Sequence, residues 1–371
     1  MLLGKGRQPM QFAHFAHVWG KKGMTPAQRY EQLWRELQLC DELGFDYGFC
    51  VEHHFSPHES WMSAPSLYTV GAGARTKRLR LGGMGHVVPL HQSLRLAEEI
   101  AIADQMLSGR LDIGLVPGIT PRIFEPFAVP FDNRREVTLE FVPFLRAAFA
   151  DAPSFSFHGK HHHADNVTLS LQPMQKPCPP IWIETRDTAT LEFCAREGVN
   201  VGYFLISPRE DCAPKYRQYL ENWKKAGHKG KPKIAYSTVV YVDETDEKAL
   251  NTALAEAGQA YRGFLPETDD PAELKRFQQE HAQRYIERKE FGAADIAIHL
   301  LDADWLLAHD LILVGSPDTV ARKLKKIAGE GVFDTFFGEF NFGQIAEADL
   351  MRSIRLFGEE VIPQLRDYQP F

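Results

Sequence analysis

The sequence predicts a parallel (β/α)8 barrel with insertions, one domain over residues 1–371, and three observations carry that prediction. Short apolar runs alternate with amphipathic helical stretches eight times along the chain. The run at residues 47–51 delivers a polar triplet, Glu52-His53-His54, which is how a β/α barrel builds its site, since strand ends and following loops share one face. The 371 residues are 44% hydrophobic and 25% charged, an ordinary globular composition with enough apolar material for one large core. An open doubly wound sheet is the competing architecture, and eight alternations favour the barrel.

Residues 10–18 are apolar or aromatic, with His14 and His17 among them, and form the first expected strand. Thr25, Pro26 and Gln28 then supply an N-cap, a proline at the first helical position and a capping-box partner. Leu33, Leu37, Leu39 and Leu43 continue at helical spacing to Gly44. A second strand at 47–51 leads to a helix at 65–74, a third strand at 79–82 and an amphipathic helix at 94–107 that Ser108-Gly109-Arg110 stops. Strand four is expected at 111–116 and helix four at 134–149. A Pro- and His-rich excursion near 152–180, where a β-hairpin is expected, precedes strand five at 181–184. Helix five, 188–197, ends at Gly198. Strand six follows at 199–206, a helix at 210–226, strand seven at 234–242 and a helix at 246–261. Residues 262–309 are charged and mixed, longer than an ordinary barrel connection, and read as a lid-like insertion on the active-site face. A helix from Ser316-Pro317 to Gly331, an eighth strand at 335–339 and a helix at 346–365 complete the pattern.

A formal net charge of -7 argues against a nucleic-acid surface. No stretch of about eighteen apolar residues would span a membrane, and residues 1–7 are too short and interrupted for a signal peptide. A cytoplasmic protein is expected. Cys40, Cys50, Cys178, Cys194 and Cys212 form no Cys-x-x-Cys pair, so neither a disulfide framework nor a zinc knuckle is suggested.

Four stretches carry candidate chemistry. Glu52-His53-His54 offers imidazoles able to donate, accept or shuttle a proton, against the plainer reading that one histidine is simply satisfied by Glu52. The tract His158-Gly159-Lys160-His161-His162-His163 looks metal-binding, but consecutive loop histidines splay apart, so no metal is expected there. Residues 114–120, after strand four, read equally as a Gly/Pro turn or a phosphate loop. After strand five, Glu184-Thr185-Arg186-Asp187-Thr188 places an arginine between threonines at a helix start, which favours an anion. Dinucleotide, P-loop and serine-hydrolase motifs are absent. Phe12, His14, Trp19, Trp61 and Met84 are candidates for a pocket wall, although such positions in a barrel are more often plain core.

Taken in order, these residues resemble the bacterial luciferase-like flavin monooxygenases. The matching stretches are Glu52-His53-His54-Phe55; Pro89-Leu90-His91 with Arg95, Ala97, Glu98 and Glu99; Asp104-Gln105-Met106 with Ser108-Gly109-Arg110; and residues 114–118. Asp132-Asn133 with Arg135, Leu171-Gln172-Pro173, Pro179-Pro180-Ile181-Trp182, Ala195-Arg196-Glu197-Gly198, Val314-Gly315-Ser316-Pro317 and residues 357–363 follow. The resemblance implies a barrel that uses reduced FMN and O2. The family forms a C4a-peroxyflavin that attacks an aldehyde or similar small or medium apolar molecule, and a separate NAD(P)H:flavin reductase supplies the flavin. It implies His53 as the flavin-side acid–base residue, with Glu52 and His54 beside it, and Glu184, Thr185 and Thr188 around the flavin phosphate. Arg186, Gly118, Gly83 and Met84 complete the expected cofactor-binding set, a homodimer is expected, and the insertion matches the family's lid. One departure is visible. Where luciferase members carry an arginine after strand four, this chain has Pro117, which leaves Arg186 to compensate and keeps F420-dependent hydride transfer open as the alternative. A non-catalytic partner subunit is the remaining alternative, against which the intact Glu-His-His motif and the long insertion speak.

Overall fold

The structure, a computed structural model, describes residues 9–204, 207–266, 268 and 270–371. Its centre is a closed ring of eight parallel strands. They are β1 (Gln11–Ala16), β2 (Tyr47–Cys50), β3 (Arg80–Gly83), β4 (Ile113–Val116), β5 (Ile181–Glu184), β6 (Asn200–Phe204), β7 (Ile234–Val242) and β8 (Thr335–Glu339). Neighbours in sequence are neighbours in space, and β8 returns to β1 with Phe336 opposite Phe12. Between β3 and β4 a single bridge joins Leu81 to Leu111, and just beyond β3 the pair His86–Val87 runs parallel to Leu115 and Val116. The ring closes, as a barrel requires and an open sheet does not.

Helices α1 (Pro26–Leu43), α2 (Pro65–Gly73), α3 (Ser93–Met106), α4 (Arg134–Ala148), α5 (Thr188–Glu197), α6 (Arg209–Lys225) and α7 (Asp246–Gln259) follow the first seven strands. Thr25 and Gln28 form the expected capping box on α1, and Gly44 ends it in the left-handed conformation at φ 84° that glycine tolerates best. The excursion is an antiparallel hairpin, Phe155–His158 against His163–Val167. Strand six was expected to reach residue 206, but 205 and 206 lie outside the described residues, as does the stretch 1–7 that bore on a signal peptide.

The insertion is more ordered than its mixed sequence suggests. It folds as α8 (Pro271–Glu287), α9 (Phe291–His299) and α10 (Ala303–Ala308), after which Leu313–Gly315 pairs with the end of β7. Three residues are too few to show a strand period, so that pairing was not foreseen. Then α11 (Pro317–Gly331) leads to β8, and α12 (Glu347–Leu356) closes the ring. No helix among the described residues is long and apolar enough to cross a membrane.

Alternation along the strands sorts side chains between the barrel axis and the helical layer. Tyr47, Phe49, Trp182 and Phe337 meet across the axis, their ring centroids 5.1 to 6.3 Å apart, and Phe15 joins them at 5.9 Å from Phe337. Phe12 and His14 have the opposite parity, and of the two places left open for them, pocket wall or plain core, they take the core. Phe12 packs edge-on against Phe357 in the outer layer, and His14 is buried with Nε2 2.9 Å from Glu36 of α1. Arg29 and Asn341 converge on the same Glu36 carboxylate, so that burial, which alone would raise its pKa, is outweighed and the group is held low.

Candidate active site

The parity that buries the aromatic layer sets what lies above it. One step beyond Phe15, Trp182 and Phe337 come His17, Glu184 and Glu339, and two steps beyond Phe49, past Val51, comes His53. Polar groups from four strands therefore gather where the barrel opens. His17 Nδ1 lies 2.6 Å from Glu339 Oε2, a contact between the two ends of the chain. The His17 ring stacks on Trp19 at 5.3 Å and meets the His53 ring edge-on at 5.4 Å.

His53 sits past the end of β2, where the backbone has turned and its N–H donates to the Met62 carbonyl at 2.8 Å. Its Nδ1 is 2.7 Å from Glu59 Oε1, and Arg122 approaches the other oxygen of Glu59 at 3.8 Å. Burial pushes the Glu59 carboxyl up, but the contact with His53 and the charges of His53, His17 and Arg122 hold it below the usual range. Two imidazoles, each oriented by a carboxylate, thus face one another at the mouth. Beside them Glu184 accepts no hydrogen bond among the described residues. Burial raises its carboxyl to about 7, against a smaller opposing effect from His17.

The Glu-His-His triplet is split by the turn. Glu52 is buried, and its carboxylate accepts from the Val87 N–H at 2.9 Å, from His54 Nε2 at 2.9 Å and from His91 Nε2 at 2.9 Å. Burial alone would raise it, yet the His54 and His91 hydrogen bonds bring it down to about 2. Glu52 and His54 therefore belong to a cluster with His91 and His86, behind the mouth, and only His53 turns toward His17. The expected set thus splits, with His53 at the mouth and Glu52 and His54 hydrogen-bonded to each other behind it.

Around the start of α5 lie the residues expected at the phosphate. Thr185 donates its N–H to the Gly202 carbonyl at 2.8 Å and its hydroxyl accepts from the Asp187 N–H at 3.1 Å, while Thr188 is exposed at the first residue of the helix. Arg186 reaches the insertion, 3.5 Å from Glu290 and over the Tyr285 ring at 5.3 Å. Asp187 caps α5 by accepting from the Thr190 N–H at 2.9 Å, and Arg135 of α4 lies 3.4 Å from it. Arg135 stands out in the sequence only as part of a motif, and it adds a guanidinium to this corner. The exposed Thr188 with the free N–H groups of the first turn of α5, and Arg135, fit a phosphomonoester such as that of FMN.

A side chain at either expected glycine would strike the protein's own atoms. Gly118 has φ 78°, and a side chain there would strike the Phe124 ring at 2.7 Å, while Arg134 donates to its carbonyl at 3.2 Å. A side chain at Gly83 would meet Pro65 at 2.4 Å, and Met84 is buried with its N–H donating to the Cys50 carbonyl. Of the proposed wall residues, Trp19 and Trp61 do stand at the mouth, partly exposed.

A family model for luciferase-like monooxygenases matches residues 10–334. The chain belongs to that family. An uncharacterised protein y4wF of Sinorhizobium fredii is 33% identical over 192 residues, 52% of this chain and 55% of that protein, so the match spans about half of that relative. The oxygenase component of a flavin-dependent trigonelline monooxygenase of Acinetobacter baylyi is 26% identical over 247 residues, 65% of this chain and 67% of that one. Among solved structures, the monooxygenase RslO1 of Streptomyces bottropensis superposes with a TM-score of 0.78 at 27% identity, covering 95% of this chain and 99% of its own. The coenzyme F420 dependent tetrahydromethanopterin reductase of Methanopyrus kandleri has a TM-score of 0.68 at 19% identity over 96% and 100% of the two chains, a likeness of fold alone.

Within this luciferase-like monooxygenase the histidine tract disperses, as expected. His162 turns inward, with Nδ1 2.5 Å from the Ser93 hydroxyl and Nε2 2.7 Å from the Val137 carbonyl. His161 reaches Glu136, and His158 pairs with His163. The residues that the sequence reading missed are His17, Glu59 and Glu339. Only the step-of-two spacing Ala13, Phe15, His17 signalled the first, and the others come from distant segments.

Proposed function

We propose that the protein is the oxygenase component of a two-component, FMNH2-dependent monooxygenase, acting as a cytoplasmic homodimer on a small or medium apolar molecule such as an aldehyde. The observation that carries this is the pair of carboxylate-oriented imidazoles, His53 with Glu59 and His17 with Glu339, facing each other beside the protonatable Glu184. Reduced FMN, when bound, supplies the two electrons by which one oxygen atom of O2 enters the substrate and the other leaves as water. The chain supplies the rest. His53 holds or releases a proton at Nε2 while Glu59 fixes its ring at Nδ1, and Glu184 donates a hydrogen bond in its neutral form. Thr185, Arg186, Thr188 and Arg135 bind the phosphate. The helices α8 and α9, tied to the phosphate corner through Tyr285 and Glu290, exclude water from the site.

The test combines binding and turnover. The purified protein should bind reduced FMN and, with an NAD(P)H:flavin reductase and a medium-chain aldehyde, release the corresponding acid with matching O2 uptake. Tight binding of F420 with hydride transfer and no O2 uptake would replace the reading by its deazaflavin alternative. Absence of flavin binding, with co-purification of a second barrel subunit, would make the chain a non-catalytic partner.

A further inference from the structure

Behind the mouth, the cluster around Glu52 contains an imidazole that the protein itself leaves unused. His86 is 5% exposed and makes no hydrogen bond at either ring nitrogen among the described residues, and its buried Nδ1 is orphaned. The strand pairing of His86 with Leu115 fixes its backbone, and its ring lies close enough to Gly83 that a side chain there would come within 3.5 Å of Nε2. One of its nitrogens, a ring nitrogen of His91 and an oxygen of Glu52 all lie within 4.8 Å of one another. A buried polar atom without a partner calls for an explanation, of which a bound ion is one.

We propose that Glu52, His86 and His91 form a site for one divalent first-row transition ion of the zinc type. Two imidazoles and one carboxylate are the donors that zinc and its neighbours take at about 2.0–2.2 Å, whereas calcium and magnesium prefer all-oxygen sets. Ligands that bind one ion at those lengths stand about 3–4 Å apart, so small rotations of these side chains complete the set. The three groups come from separate segments: the turn after β2, the pair beyond β3, and the end of the turn Val88–Leu90. The ion would staple these segments together. It takes the place of the hydrogen that now lies between His91 Nε2 and Glu52, and that proton leaves to solvent. His54 Nε2 and the Val87 N–H stay on the carboxylate and orient it, as partners beyond the ligands do in metal sites. The site is independent of the flavin reading, and its test uses no flavin.

The loop histidines His158, His161 and His163 would also collect zinc, so the decisive protein carries His158→Ala, His161→Ala and His163→Ala. Made without a tag, stripped with EDTA and titrated with zinc by calorimetry and metal analysis, it should bind one equivalent. Adding His86→Ala, or separately His91→Ala, should weaken that binding at least about 100-fold, and cobalt should give visible bands without thiolate charge transfer. Zinc binding that vanishes with the tract, that survives both His86→Ala and His91→Ala, or that never occurs, would overturn the proposal. If His86→Ala does not fold, His91→Ala and the cobalt spectrum of the parent decide.

Discussion

Glu52 and Glu184 leave barrel strands at the same end of the molecule, β2 and β5, yet they are held in opposite states. Glu52 is ringed by three donors and its carboxyl sits at about 2, whereas Glu184 has no hydrogen-bond partner among the described residues and sits at about 7. Both are penalised by burial, so the donors make the difference. Glu52 is a fixed anion that braces loops. Glu184 can be neutral or charged at the pH of use, which suits a group beside chemistry. The position of a carboxylate in the fold therefore does not set its role; the number of donors aimed at it does.

The largest effect that sharpens this contrast is on folding. Glu52→Gln leaves His54 and His91 without their anion, and should cost about 3–5 kcal/mol in denaturant unfolding, the usual result of removing one partner from a buried charged group. A loss under ~1 kcal/mol would show that Glu52 is no brace.

Glu184→Gln should act in the other direction, and with a pH dependence. Its carboxyl is raised above the unfolded value, so the folded state holds the proton more tightly between about 4.5 and 7, and stability declines as pH rises through that window. The substitution should therefore raise stability more at pH 8 than at pH 5. The expected difference is roughly 1–3 kcal/mol, reduced from the full shift because the side chain is partly exposed. Equal effects at both pH values would remove the proton from Glu184.

A smaller effect separates the mouth from the phosphate corner. Arg135→Ala and Arg186→Ala should each weaken FMN binding by about tenfold and leave riboflavin binding unchanged, as loss of one charged phosphate contact predicts. Weakening of both ligands alike by Arg186→Ala would place Arg186 with the insertion, through Glu290 and Tyr285, and not with the phosphate.

The barrel was legible because its signals are local. Strand runs, the capping box at Thr25 and Gln28, and Gly44 each rest on neighbouring residues, and all appear where the sequence puts them. The site was legible only in part. His53 stood out within a motif, but its sequence neighbours Glu52 and His54 have the opposite parity and face another cluster, so the motif was not one site. The pairs His17 with Glu339 and His53 with Glu59 are products of barrel closure and of a loop, which no period encodes. For Phe12 and His14 the choice between pocket wall and core lay in the parity of β1, which assigns Phe15 and His17 to the axis and these two to the helices.

In the proposed reading His53, held by Glu59, governs oxygen chemistry on a flavin bound at this mouth. Anaerobic protein with reduced FMN is mixed rapidly with O2 and flavin reoxidation is followed by absorbance. The wild-type protein should delay the return of oxidised flavin well beyond the free cofactor. His53→Ala should shorten that delay and lower product yield, by about 10²–10⁴-fold in rate as for loss of a proton-transfer group. Reoxidation of the wild type as fast as free flavin, or a His53→Ala protein that behaves as the wild type, would contradict it.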